Sequence, residues 1–147
     1  MGGVELKKHI LLQNLMVLTA VVLLIVCCIP GIITGTFHKA DGTSVTEKYT
    51  LLTCFKAEHF GKLIWIWFVM VLTNCIGAVG FRITQASKPL GWVLSSSVVG
   101  VLWYLMNLLP QKESYTLCVS VVVFALFLIE LILSTLYTIG RRKSIFV

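Results

Sequence analysis

Four long apolar runs take up most of this chain, at about residues 10–29, 63–81, 90–109 and 115–139, with polar residues gathered between them. A helix needs roughly 20 apolar residues to cross a ~30 Å hydrocarbon layer. In lipid a lone segment must also satisfy its own backbone hydrogen bonds, which singles out the helix. The expected fold is therefore an all-α membrane protein, a four-transmembrane-helix bundle forming one domain over residues 1–147. Apolar residues make up 58% of the chain and charged ones 12%, against about 25% charged in soluble domains. Four spans and their links leave no room for a separate catalytic module.

The boundaries follow from local chemistry. The first run ends at Cys27-Cys28-Ile29-Pro30-Gly31, where proline interrupts the helical ladder. In the loop that follows, Asp41-Gly42 signals a turn and Thr43 to Tyr49 reads as a short strand, so the first extracellular loop is expected to carry a small β-hairpin. Trp65 and Trp67 open the second run, where amphipathic rings favour the headgroup boundary. Pro89 suits the first turn of the third helix, because its missing donor is not needed there. Pro110-Gln111-Lys112-Glu113-Ser114 reads as a tight polar hairpin leading into the fourth run. Cys27, Cys28 and Cys75 are placed within spans, Cys118 just inside one and Cys54 in the loop, a distribution unlike a disulfide framework.

Lysine and arginine near the span ends set orientation. Lys7, Lys8, Arg82, Lys88, Arg141, Arg142 and Lys143 fall on one side; Lys39, Lys48, Lys56, Lys62 and Lys112 fall on the other, diluted by Asp41, Glu47, Glu58 and Glu113. The denser side, with both termini, is expected to be cytosolic, at the plasma membrane or an endomembrane. A cleaved signal peptide is disfavoured, since the first run exceeds the usual ~7–15-residue apolar core and lacks a small-x-small cleavage site. The net charge of +6 is not clustered on one face, so no nucleic-acid partner is expected.

One carboxylate, Glu130, sits near the middle of the fourth run, ~15 Å from its end. A charge there costs ~2.5–3.5 kcal/mol even on the lenient insertion scale, so Glu130 should face protein and be protonated or partnered. Ser134, Tyr137, Thr138 and Arg141 follow on its face. Asn74 lies at matching depth in the second run, and Ser95, Ser96, Ser97 and Gly100 give the third run a small, polar surface. Glu130, Asn74, Ser134 and Ser97 are thus the candidate intramembrane polar contacts, with a Glu130–Asn74 clasp preferred over transport. His9, His38 and His59 lack the spacing of a metal shell, no nucleophile with a nearby base is legible, and no cofactor is expected. At the C-terminus, Arg141-Arg142-Lys143-Ser144 resembles a basophilic kinase site that would phosphorylate Ser144. Ile145-Phe146-Val147 resembles a ligand that adds a strand to a PDZ groove.

Three families offer a likeness. A glutamate in the last of four spans resembles proton-pump proteolipid subunits, but the match stops at Glu130 and the Leu131 to Ser134 run, without their glycine stripes. Glu58-His59-Phe60 resembles the acidic-aromatic stretch of small glutathione-dependent membrane enzymes, yet Leu51, Phe55 and Val93 stand where that chemistry wants polar residues. The layout of a larger first loop, a basic link, a short second loop and a basic tail resembles the claudin and peripheral-myelin tetraspans. Gly91 through Gly100 to Trp103-Tyr104 is also similar to the third span of claudins. The loop has the single cysteine Cys54 and no tryptophan before Trp65, so that family's loop signature is absent. This resemblance implies a non-enzymatic accessory or organising subunit of a larger membrane assembly (channel, receptor or junction type), or a homo-oligomer. The alternative expectation is a small proton- or ligand-coupled transporter, or a glutathione-dependent enzyme, using Glu130.

Overall fold

A computed structural model describes residues 2–56, 61–111 and 115–145. Four helices form an up-and-down bundle: α1 (Gly2–Cys27), α2 (Gly61–Thr84), α3 (Ser87–Leu108) and α4 (Val121–Ile145). Each packs on its two sequence neighbours around the ring, with α4 closing against α1. All four contain a stretch of 21 to 23 residues long and apolar enough to span a membrane. Much of their outer surface is apolar, including Leu18, Ile25, Val69, Ile76, Leu102 and Ile132, as expected of helices whose solvent is lipid.

The end of the bundle opposite the chain termini is capped by a three-stranded antiparallel sheet in the order β2-β1-β3, formed by β1 (Ile33–His38), β2 (Ser44–Tyr49) and β3 (Tyr115–Val119). The expected hairpin is β1–β2. Its turn has Lys39 N–H donating to Thr43 O at 2.8 Å and Gly42 N–H to Lys39 O at 3.1 Å. Gly42 takes φ +82°, the left-handed residue that a three-residue hairpin loop demands. Asp41 Oδ1 accepts both the Thr43 hydroxyl and the Thr43 N–H. Those two donors hold the Asp41 carboxyl below its ordinary range, the hydroxyl contributing most.

The third strand corrects the fourth span. Residues 115–119 are not helical; they pair with β1, with Ile33 opposite Val119 and Phe37 opposite Tyr115. A 25-residue helix would be ~37 Å long, more than the hydrocarbon requires. Tyr-Thr-Leu-Cys-Val is instead an alternating segment that buries Leu117 and Val119 and exposes Thr116 and Cys118. Ser120 marks the switch: its N–H donates to Ile32 O at 2.9 Å, and its hydroxyl accepts the Val122 N–H at 3.3 Å as an N-cap. The Gln111 side chain locks the strand's outer edge, donating to Asn107 O and Leu117 O, both at 2.8 Å, and accepting the Leu117 N–H.

Other boundaries also differ from the sequence reading. The basic segment Lys7-Lys8 lies inside α1, which begins at Gly2. Cys28 falls past the end of α1 and is exposed, as is Cys118 on β3; neither lies in a span. Trp67, expected at the headgroup boundary, belongs with Trp103 to the buried core beneath the sheet, together with Leu23, Cys27, Ile64, Leu117, Val123 and Phe127. A second apolar cluster, Met16, Ala20, Ala78, Phe81, Leu90, Val93 and Tyr137, fills the terminal half.

Two close approaches fix the ring. At Gly77 an added Cβ would come within 3.0 Å of Pro89 O and Val93 Cγ2. At Gly100 it would lie 2.6 Å from Phe127 Cγ. Small residues at such points let backbones pack directly. Between α2 and α3 the chain turns through Gln85, whose φ of +53° is rare for a residue with a side chain.

A candidate buried polar site in the bundle

Asn74, Ser97, Glu130 and Ser134 are all buried inside the bundle, but the expected Glu130–Asn74 pairing does not form. Asn74 Nδ2 donates to Ser96 Oγ at 3.1 Å and to Ser97 Oγ at 2.9 Å, so the polar clasp joins α2 to α3. Glu130 is not its partner. The Glu130 side chain is 0% exposed, and neither carboxyl oxygen receives a hydrogen bond. It lies against the Ala20 backbone of α1 and within electrostatic reach of Cys75 on α2. Ala20 offers no free donor, because its N–H belongs to the helical ladder. Asn74 Oδ1 is likewise buried without a partner.

Ser134 stands one turn from Glu130 and is fully buried. Its hydroxyl donates back to Glu130 O at 2.7 Å, the self-contained bond by which a serine tolerates a helix interior. The next turn brings Tyr137, and here sequence reasoning missed a partner. Gln13 of α1 donates from Nε2 to the Tyr137 hydroxyl at 3.2 Å, while Gln13 Oε1 is buried and unpaired. Gln13 lies inside a nearly continuous apolar run. The signal for it was its separation of seven residues, two helical turns, from Ala20 on α1.

His9 completes this side. Its ring meets Tyr137 edge-on with centroids 5.2 Å apart. It also covers Gly140, where a Cβ would approach to 3.2 Å. Leu6, His9, Ile10, Gln13, Gln85, Tyr137 and Arg141 line a recess of about 200 Å³ at the terminal end. Toward the sheet, by contrast, Glu130 is followed by Phe127, Val123, Trp67 and Leu23, a buried apolar plug. On the terminal side, Ser134, Tyr137, Gln13 and His9 are ranged along α4 and α1 between Glu130 and the recess, beside the apolar cluster of Met16, Ala20 and Phe81.

No grouping of three or more His, Cys, Asp or Glu suited to a metal occurs among the described residues. In the sheet-side loop, burial pushes the Cys54 thiol above its ordinary range. Glu58-His59-Phe60 and Lys112 to Ser114 lie outside the described residues. The α4 backbone runs to Ile145, while the side chains of Ser144 and Ile145, and Phe146 and Val147 altogether, lie outside them.

Fold and site define a class: an up-and-down four-helix bundle of membrane-spanning dimensions, with a β-sheet cap and a buried carboxyl at its centre. No protein-family model, curated protein or solved structure matches the chain.

Proposed function

We propose that this chain is a non-enzymatic four-span subunit that organises a larger membrane assembly by packing against a transmembrane helix of its partner. The observation that carries this reading is a cleft between α2 and α3, about 410 Å³, lined by Trp65, Ile66, Val69, Met70, Thr73, Ser95, Ser96 and Val99. It opens on the bundle's side, along the apolar stretches of α2 and α3 that are long enough to span a membrane. Its wall combines large apolar side chains with three small hydroxyl residues, the composition by which helices associate in lipid. The bundle behind it is rigidly tied by the Asn74 clasp and the Gly77 approach. Both termini in the cytosol, as charge density favours, would present Ser144 and Ile145-Phe146-Val147 to a kinase and a PDZ-type partner. The claudin-like layout is compatible with such a role.

The test is purification in mild detergent with Thr73→Leu/Ser95→Leu, which fills the cleft from its two walls. The wild-type chain should comigrate with a larger complex. The variant should run at its own size while keeping its helical circular dichroism. Comigration of the variant, or a wild-type chain that always runs alone, overturns the reading.

A further inference from the structure

We infer that Glu130 is a proton-binding site supplied from the terminal side of the bundle alone, through His9, Gln13, Tyr137 and Ser134. This goes beyond the organising role and does not depend on it. Three geometric facts converge. Glu130 is wholly buried with no donor on either oxygen, so nothing in the packed bundle compensates an ionised carboxylate there. The acceptors Gln13 Oε1 and Asn74 Oδ1 are also buried and unpaired inside the bundle; buried orphan acceptors are groups to which a relayed proton or water can bond. Finally, the polar side chains are one-sided: Ser134, Tyr137, Gln13 and His9 lie on the terminal side, beside the apolar cluster of Met16, Ala20 and Phe81 and next to the recess that reaches Gln13 and Tyr137, whereas Leu23, Val123 and Phe127 fill the sheet side.

The groups facing Glu130 leave its charge uncompensated. From α1 come the Ala20 backbone and, further down, the neutral Gln13 and the imidazole of His9. From α2 comes the Cys75 thiol, while Arg82 is drawn away to Asn14 Oδ1 at 2.9 Å. On α3 the buried polar groups are Ser96 and Ser97, which bond to Asn74 and do not titrate. On α4 itself lie Ser134 and Tyr137, with Arg141 exposed at the mouth of the recess. From Tyr137 to Glu130 is seven residues, ~10 Å along the helix, with the Ser134 hydroxyl midway. Protonation adds one proton to a Glu130 carboxyl oxygen from terminal-side water, and release returns it on the same side. The site thereby reports the pH of one compartment at the centre of the bundle.

Infrared spectroscopy of the full chain in lipid vesicles, with carboxyl-13C glutamate, tests this. A neutral carboxylic acid band should be present at neutral pH, be missing in Glu130→Gln, and shift on transfer to D2O. Gln13→Leu/Tyr137→Phe should slow that shift at least tenfold, whereas Trp67→Phe on the sheet side should leave it unchanged. Absence of a neutral-acid band in the wild-type chain overturns the proposal even if Glu130→Gln fails to fold. So does an exchange rate indifferent to the Gln13/Tyr137 change, or equally slowed by the Trp67 change. Detergent comigration does not enter these readings, so the organising role stands or falls separately.

Discussion

Replacing Gly100 by alanine should destabilise the bundle although alanine is the better helix former. The added Cβ would stand 2.6, 2.7 and 2.8 Å from Cγ, Cδ1 and Cδ2 of Phe127, which is the root and not the tip of the ring. Phe127 is itself fully buried, so the ring has nowhere to swing and α3 and α4 must separate. Overpacking of this kind costs about 1–3 kcal/mol, and the Gly-to-Ala gain in helix propensity returns at most about 1 kcal/mol. An approach of 2.6 Å to the root of a buried ring belongs in the upper half of that overpacking range, about 2–3 kcal/mol, so after the propensity gain the net loss should be about 1–2 kcal/mol. Gly91 supplies the control, because its added Cβ meets nothing within 4 Å; Gly91→Ala should be neutral or slightly stabilising. Reversible unfolding by sodium dodecyl sulfate in mixed micelles, followed by helical circular dichroism, gives the free energies. Phe127→Leu should lose about 1–2 kcal/mol alone, yet the double variant should recover at least ~0.5 kcal/mol against additivity. A Gly100→Ala protein as stable as wild type, or strictly additive losses, would refute the close approach of α3 and α4.

The other expectations use the same preparations. Asn74→Ala should cost about 1 kcal/mol, in line with intramembrane polar contacts, because Ser97 loses its partner; Ser95→Ala, which leaves the clasp untouched, should change unfolding by less than half as much. Gln85→Gly should stabilise by up to about 1 kcal/mol, since only glycine takes its positive φ without strain, and an unchanged midpoint would argue against that corner. A membrane-impermeant maleimide should modify Cys28 and Cys118 from one face of the vesicle, whereas buried Cys54 reacts only on unfolding; modification from opposite faces would break the topology. Because the Asp41 carboxyl is held below its ordinary range in the folded hairpin, its turn contribution is complete above that range. It fades as pH falls through the lowered value. Gly42 and Thr43 amide shifts should follow that acid-side transition and lose it in Asp41→Asn.

How much of this was legible beforehand differs by element. The four helices followed from apolar runs of spanning length, and the hairpin from Asp41-Gly42 between strand-forming residues. The boundary at Ser120 was missed because Tyr115 to Val119 is apolar enough to read as more helix. Its alternation decides nothing until β1 offers an edge to pair with. Glu130 was visible as an anomaly and its depth could be counted. Its neighbours could not, because helical periodicity fixes which residues share a face of one helix but not which face a second helix presents.

Sequence by itself therefore determined the number of helices, the antiparallel order that short links impose, and the burial of a charge too costly to leave on an apolar outer face. Only the tertiary structure decided that Asn74 turns to Ser96 and Ser97, that Gln13 meets Tyr137, and that Glu130 is left without a donor. The reason is that hydrophobicity acts on each segment alone, through its surroundings, whereas polar pairing depends on the rotation of one helix against another. That rotation is set here by contacts such as Gly77 on α3 and Gly100 on Phe127.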